Sequence, residues 1–266
     1  MEKSKRENHL FDLRKYSFAG KALENYLLSN SNLPGKRGNI ELGFSFADYV
    51  EENYRKDKVN IFRYCLALIS ENNEQKNEIG NEEFLPFCAI VALGRIGKID
   101  LTKKDEVIEL LKTYAKDGRW RIREAVAMAI QELMDVNPKE TIDKLIKWVD
   151  EENYLIQRAL VAGLAEPRLL KNREIAKISL EIHKRIIEKI AKEKDIKDSD
   201  FQVLIKGLCY TLSVIITGIE DEGFNYLEEL AKKNNPVIKK IVRENLKKNR
   251  LKQLNNSRVL RLQKIV

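Results

Sequence analysis

Apolar and polar positions follow one another along most of the chain with the period of an α-helix, in which every third or fourth residue faces the same side. This pattern predicts helices almost throughout and no strand of useful length. The predicted helices lie at residues 20–30, 46–54, 58–71, 83–97, 103–115, 119–134, 138–149, 153–165, 173–193, 199–217, 222–233 and 236–250. Asn137-Pro138 and Asn235-Pro236 are typical of helix starts, since proline fits the first turn. Glu166-Pro167 is typical of a helix end.

The helices recur in pairs with similar sequences. A shift of 34 residues aligns Glu106–Lys112 with Glu140–Ile146, and the helix that begins at Trp120 with the one that begins at Tyr154. A shift of 116 residues aligns the same helix start with Ala231–Lys240. One amphipathic pair cannot bury both of its apolar faces, whereas stacked pairs can. The sequence therefore predicts an all-α fold, a right-handed superhelical α-solenoid of HEAT-like helix pairs.

We expect a single solenoid domain over residues 1–266. Within it, residues 1–82 form irregular N-terminal helices, residues 83–250 form the helix-pair repeats, and residues 251–266 form a basic C-terminal tail. The segment Ala92–Gly97 has the sequence of a frequent ending of inner HEAT helices.

A stretch without a helical pattern, Ser29–Gly43, contains the basic, glycine-rich segment Leu33–Gly38. A loop of this kind can hold phosphate through its backbone N–H groups. However, the Lys-Ser/Thr ending of a P-loop and the strand that precedes one are both missing. These missing features favour a plain connection between helices.

The net charge of +8 is unevenly distributed. Residues 231–266 contain twelve Lys or Arg and one acid, Glu244, a net charge of +11, so the first 230 residues carry −3. A basic end of this kind can bind phosphate, an anionic membrane or an acidic partner. The alternative is a solvated last helix and tail without a binding role. The tail from Leu251 either docks as a cap on the last repeat or stays mobile and basic.

Cysteine and histidine patterns do not predict a metal or redox site. Three cysteines lie in apolar helical runs, as buried free thiols do: Cys65, Cys88 and Cys209. His9 and His183 are far apart in the sequence. We therefore expect no metal and no cofactor.

The N-terminus lacks the apolar stretch of a signal peptide. The longest nearly uncharged run, residues 207–219, is about 13 residues long, whereas a membrane span needs about 20. The run predicts a buried helix. We expect a cytoplasmic monomer that does not bind a membrane.

The repeats also predict which side chains meet. Equivalent positions on successive inner helices should stand side by side, with axes about 8–10 Å apart. The position of Glu124 is matched in later repeats by Arg158, Lys206 and Lys240. The position of Trp120 is matched by Tyr154, and Trp120 shares a helix face with Glu124 because the two are four residues apart.

Aromatic rings, cations and one carboxylate in a cleft suit DNA. Cations hold phosphates, and aromatic rings stack on bases or sugars. A lone carboxylate beside phosphates can stabilise a cationic sugar as a base departs and can position water. The predicted catalytic residues are Trp120, Glu124 and Arg158, and the predicted DNA contacts are Arg121, Arg123, Tyr154, Lys206, Lys239 and Lys240.

A purely structural interpretation of the same residues stands beside this one. Arg123 has the position from which an arginine often bonds to the turn before an inner helix. Glu124 and Arg158 can form a structural ion pair between repeats, worth about 0–1 kcal/mol if exposed. Trp120 can cover the core at a turn.

The chain resembles HEAT-like DNA alkylation-repair glycosylases, most clearly over residues 103–170. Trp120-x-x-x-Glu124 is similar to the family's Trp-x-x-x-Asp, and Asn153–Arg158 is similar to its Asn-aromatic-x-x-x-Arg segment. The acid here is Glu, and a further tryptophan of the family on a later repeat has no counterpart, since the other tryptophan is Trp148. Residues 33–42, 120–133 and 157–170 are also similar to HEAT-repeat relatives of this family, which can keep the fold and lack the reaction.

The resemblance implies duplex DNA as the partner and excision of cationic N3- or N7-alkylated purines without flipping of the base into a pocket. In these roles Trp120 contacts the sugar, Glu124 stabilises the oxocarbenium-like state, and Arg158 holds a phosphate. The alternative is a non-enzymatic scaffold that binds a protein partner in its concave groove. The charge of −3 on residues 1–230 favours this alternative.

Overall fold

A computed structural model describes residues 4–70 and 80–266, and in these residues the chain is helical and contains no strand. The last residue of the predicted helix 58–71 lies outside the described residues. The chain forms two compact units, unit 1 (Met1–Val136) and unit 2 (Asn137–Val266). The all-α fold is therefore confirmed, while the single solenoid domain stays a prediction.

Unit 1 contains seven α-helices in its described residues. They are α1 (Lys5–Leu13), α2 (Lys21–Ser29), α3 (Ile40–Tyr54), α4 (Lys58–Ser70), α5 (Phe84–Ile99), α6 (Lys104–Tyr114) and α7 (Trp120–Met134). A 3₁₀ turn, Leu101–Lys103, precedes α6.

Alternate helices of unit 1 stack side by side: α1 packs on α3, α3 on α5 and α5 on α7. Helix α4 packs against α3 and α5, and α6 packs against α5 and α7. Helix α5 lies at the centre, and Phe84 to Gly97 are all buried. At Gly94 the contact with α7 is so close that a Cβ atom would lie 2.5 Å from the Cα of Ala129.

A buried ion network joins three of these helices. Arg95 on α5 bonds to Glu132 on α7 at 2.6 Å and to Asp48 and Glu51 on α3 at 2.7 and 2.8 Å. Burial works against the charge on Asp48, but hydrogen bonds from Arg6 and Arg95 hold the pKa of this carboxyl below its usual value. Arg95 and Glu132 are buried while Asp48 and Glu51 are partly exposed, so the charged network joins the three helices where the core meets the surface.

Unit 2 contains the other seven α-helices. They are α8 (Pro138–Leu145), α9 (Tyr154–Leu164), α10 (Arg173–Ile190), α11 (Ser199–Ile216), α12 (Glu220–Ala231), α13 (Pro236–Leu246) and α14 (Asn249–Gln263). Three of them begin after an asparagine whose side chain accepts from the N–H groups of the first turn: Asn153, Asn172 and Asn235.

Alternate helices stack in unit 2 as well, α9 on α11 and α11 on α13. Helix α10 packs against α9 and α11, while α12 and α14 pack against α13 and against each other. The fully buried Asn245 ties α13 to α11, since its amide donates to Leu208 O at 2.8 Å and its oxygen accepts from Ser213 N at 2.8 Å.

Four details differ from the sequence-based prediction. Helix α1 was not predicted, although Ser4 and Glu7 form a capping box, the sequence signature of a helix start. Helix α3 begins at Ile40, so the non-helical stretch ends there and not at Gly43. The predicted helix 236–250 ends at Leu246. Trp148 lies in a 3₁₀ turn, Ile146–Val149, that follows α8, and not in a continuous helix.

The C-terminal tail docks, which decides between its two predicted states. It forms α14 with Leu251, Val259 and Leu262 buried, and Asn255 breaks the helix in its middle with non-helical backbone angles. Arg258 bonds to Asp221 at 3.1 Å and Arg261 to Glu228 at 2.6 Å, so basic α14 covers acidic α12.

Among the described helices, α11 is the one long and apolar enough to cross a membrane by length and composition. Of its residues, 67% are buried within the fold, as expected for a core helix of a folded unit. This confirms the helix predicted over residues 199–217, and the nearly uncharged run that predicted a buried helix forms the C-terminal part of α11.

Candidate functional site

The turn before α7 presents Trp120 to solvent. Arg123 donates to Asp117 O at 2.6 Å and to Gly118 O at 2.8 Å, which satisfies the carbonyls of the turn. The guanidinium of Arg119 pairs with the Asp117 carboxylate at 2.8 Å. With the turn fixed in this way, Trp120 begins the helix with 50% of its surface exposed. Arg123 therefore has the contacts that the structural interpretation assigns to it.

Trp120 borders a cavity of about 220 Å³ in unit 1. Helix α7 contributes Trp120, Glu124 and Met128, which lie at successive four-residue steps on one face. Arg121 on α7 also lines the cavity, and the remaining residues come from the loop before α3, the start of α3 and α5: Arg37, Gly38, Ile40, Phe84 and Phe87. The wall is predominantly apolar and aromatic, and Glu124 adds a carboxylate to it.

Phe84 and Phe87 form the aromatic part of the wall. Their rings stack with centroids 5.7 Å apart and an angle of 13° between the planes. Both are almost fully buried, whereas Ile40 at the rim is 41% exposed. The cavity thus has buried aromatic residues beside exposed apolar ones, the arrangement of a site that takes up a hydrophobic or planar group.

Arg121 contacts three of the segments around the cavity. It donates to the buried Glu83 carboxylate at 2.5 Å and to Gly35 O at 3.0 Å, and its guanidinium lies 4.7 Å from the centroid of the Trp120 ring. The side chain therefore links the loop before α3 to the starts of α5 and α7. These contacts engage both terminal nitrogens of a side chain that is only 11% exposed, so Arg121 is better suited to position Trp120 than to bind a phosphate.

Tyr154 and Arg158 lie on α9 in unit 2 and contribute to its packing. Tyr154 donates its hydroxyl to Glu193 and packs edge-on against Phe201, with centroids 5.2 Å apart. Burial and the Glu193 carboxylate raise the pKa of Tyr154 to about 12. Arg158 is only 6% exposed, and its Cγ lies 3.4 Å from the position of a Cβ on Gly207, so its stem packs on α11.

The predicted lysines lie on α11 and α13. Lys206 and Lys240 are exposed, and Lys239 is partly exposed. Lys240 also acts electrostatically on the half-buried thiol of Cys209, whose pKa burial raises. These side chains are accessible to an anionic partner of unit 2.

The predicted thiols are free, and Cys65 and Cys88 are fully buried. Burial raises the pKa of Cys65 to about 12. In residues 4–70 and 80–266, no group of three or more His, Cys, Asp or Glu side chains is arranged to hold a metal ion.

Sequence reasoning identified Trp120, Glu124 and Arg121 but missed most of the cavity. Met128 continues the four-residue spacing from Trp120 and could have been found from it. The aromatic pair on α5 and the residues around Gly38 carry no such signal, because tertiary packing alone brings them to α7.

Fold and site together define the class of protein: an all-α protein of stacked helices with an aromatic-lined cavity beside an exposed tryptophan. Comparison with models of known protein families, with curated proteins and with solved structures gives no match.

Proposed function

We propose that this protein binds DNA and hydrolyses the N-glycosidic bond of cationic N3- or N7-alkylated purines. One observation carries the proposal: the exposed Trp120 and the carboxylate of Glu124 border the same cavity, one helical turn apart. An aromatic ring beside a carboxylate suits a group that is both planar and positively charged.

The proposed architecture is a right-handed superhelical solenoid of HEAT-like pairs, related to alkylation-repair glycosylases. It is supported by the stacking of alternate helices within each unit. It is also supported by the starts of α7, α9 and α13 at Trp120, Tyr154 and Pro236, the positions that the repeat shifts align. Solenoids of this kind bind extended partners along their inner helices.

The reaction needs one carboxylate because the leaving base is already cationic. As the bond between C1′ and the purine nitrogen breaks, its electron pair goes to the base, which leaves neutral. The sugar becomes oxocarbenium-like, and Glu124 stabilises that charge. Water then adds at C1′ and passes a proton to Glu124 or to solvent. The protein needs no cofactor for this hydrolysis.

The remaining predicted residues divide into two groups in this proposal. The exposed Lys206 and Lys240, with Lys239, hold phosphates of the duplex. Arg121, Arg123, Tyr154 and Arg158 act mainly through the structure, because packing and hydrogen bonds engage their side chains.

The first test is release of 7-methylguanine from alkylated duplex DNA at two salt concentrations. We expect release by the parent protein and a rate at least about 100-fold lower for Glu124→Gln, with duplex binding retained. Glu109→Gln, the same change at an exposed position of α6, is the matched control and should release base as the parent does. Equal rates for Glu124→Gln and the parent would refute the catalytic role.

A protein scaffold is the second candidate function. Around the cavity, charges of both signs accompany two exposed apolar side chains, Ile40 and Trp120, and this is a surface that suits a protein partner. If the parent neither releases base nor binds duplex DNA in a salt-dependent way, the scaffold becomes the better account. Salt-sensitive duplex binding without release would instead indicate a DNA-binding relative that lacks the reaction.

A further inference from the structure

The loop before α3 forms one wall of the cavity, together with Trp120 and Glu124 on α7. We infer that the cavity is a nucleotide site: it takes up the planar base of one nucleotide, and Arg37 binds the phosphate of that nucleotide at the mouth. The inference rests on the proposed function for the choice of an alkylated purine as the base.

The size and lining of the cavity fit a base. An apolar cavity of roughly 150 Å³ is large enough to admit benzene, so 220 Å³ has room for a larger planar group. Phe84, Phe87 and Trp120 supply aromatic surface on which a base can stack. Glu124 adds a negative charge that favours a cationic base over a neutral one.

Charge at the mouth fits a phosphate. Arg37 is exposed and lines the cavity, and within the described residues it makes no ion pair. Arg121, the other arginine of the lining, already bonds to Glu83 and Gly35. Of the two arginines that line the cavity, Arg37 is therefore the one whose guanidinium can make a bidentate contact with a phosphate.

The loop that carries Arg37 is held in place by its own hydrogen bonds. Asn39 N donates to Ser31 O at 2.8 Å, and the Asn39 amide donates to Asn30 O at 2.9 Å. Arg121 bonds to Gly35 O from the other side. A fixed loop loses little conformational entropy when a ligand binds, which favours recognition at this site.

The inference departs from the family resemblance in one respect. The resemblance implies excision without entry of the base into a pocket, whereas this cavity provides such a pocket in unit 1. The glycine-rich loop, which its sequence alone marked as a plain connection, becomes the phosphate-binding segment.

The test is a titration of the full chain with small-molecule probes, in which the fluorescence of Trp120 reports binding. Trp148 is fully buried in unit 2 and gives a constant background, and Trp120→Phe serves as the blank. The probes are 7-methylguanosine 5′-monophosphate, the nucleoside 7-methylguanosine, and inorganic phosphate. We expect quenching by the nucleotide, about 10-fold weaker binding of the nucleoside, and no quenching by phosphate.

Two variants test the two parts of the site. Arg37→Ala should lower the affinity for the nucleotide about 10-fold, to that of the nucleoside, and leave nucleoside binding unchanged. Gly38→Leu should abolish both, because a Cβ there lies 3.7 Å from the Phe84 ring and a longer side chain fills the cavity. Lys36→Ala, an exposed neighbour outside the lining, is the control and should bind as the parent does.

The inference is overturned if no probe quenches Trp120, if nucleotide and nucleoside bind equally, or if Gly38→Leu binds as the parent does. Its failure is separable from failure of the proposed function. Release of 7-methylguanine from duplex DNA by parent and Gly38→Leu alike would keep the function and reject the cavity. Nucleotide binding that Arg37→Ala weakens, without duplex binding, would keep the cavity and reject the function.

Discussion

His183 lies fully buried between α10 and α11, and its ring is held by two hydrogen bonds. Nδ1 donates to Ser179 O at 2.8 Å, and Nε2 accepts from the Thr211 hydroxyl at 3.0 Å. Burial lowers the pKa of His183 to about 4, although the bond to Ser179 acts in the opposite direction. The imidazole is therefore neutral in the folded protein at pH values where it titrates in an unfolded chain.

This shift predicts a pH-dependent loss of stability. As the pH falls from about 6.5 to 4, the unfolded chain binds a proton that folded His183 excludes, so the free energy of unfolding decreases, by on the order of 3 kcal/mol. His183→Gln removes this contribution. Urea unfolding at pH 7.5, 5.5 and 4.5 should show a smaller decrease for the variant, and parallel decreases would contradict the assignment.

Arg95 is the residue on which the ion network of unit 1 depends. Arg95→Ala leaves Glu132 buried without its strongest partner, and loss of one member of a buried pair costs about 3–5 kcal/mol. Arg14→Ala is the matched control, since Arg14 pairs with Glu52 on the surface, where such a pair is worth at most about 1 kcal/mol. Chemical denaturation that finds equal losses for the two variants would show that the network adds little.

At the scale of elements, α5 and α7 both line the cavity and pack closely against each other at Gly94. Gly94→Ala places a Cβ 2.5 Å from the Cα of Ala129, and backbone atoms cannot move aside as a flexible side chain does. We expect a loss of about 1–3 kcal/mol, as for other overpacked cores. Gly118→Ala adds the same atom with nothing within 4 Å and should change the stability by less than about 0.5 kcal/mol. Thermal unfolding of both variants gives the comparison.

The helices most accurately predicted from the sequence are those with a continuous apolar face and a clear stop. Helices α10 and α11 begin at their predicted starts, residues 173 and 199, and α5 and α7 begin within one residue of theirs. Helices α1 and α14 lack such a face: α1 buries only Leu13, and the kink at Asn255 interrupts the apolar pattern of α14. The local signal of α1 is its capping box and not an apolar pattern, whereas the position of α14 depends on its contacts with other helices.

The same distinction applies to the site. Trp120 and Glu124 were predictable because they are neighbours on one helix face. Phe84, Ile40 and Arg37 come from three other segments, and their approach to α7 depends on how the helices of unit 1 stack. Periodicity therefore identified one wall of the cavity, and packing determined the others.

At the scale of the whole molecule, the distribution of charge changes once the chain folds. In the sequence, the basic C-terminal region is one positively charged segment. In the folded protein, Arg258 and Arg261 on α14 form ion pairs with Asp221 and Glu228 on α12. Asn255 also donates to Glu220 at 2.8 Å. Much of the positive charge on α14 is thereby balanced by α12, and the exposed lysines of α11 and α13 remain as the better candidates for binding phosphate.

This distribution predicts which cations control DNA affinity. The logarithm of the binding constant falls with the logarithm of salt concentration by about 0.9 for each phosphate that a cation neutralises. The double variant Lys206→Gln/Lys240→Gln should therefore reduce the steepness of that dependence by about 2. Arg261→Gln should leave the steepness unchanged, because Arg261 already pairs with Glu228. Fluorescence anisotropy with a labelled duplex at several salt concentrations measures both. The opposite result, an effect of Arg261 and none of the lysines, would place the DNA on α14 and require its contacts with α12 to open when the duplex binds.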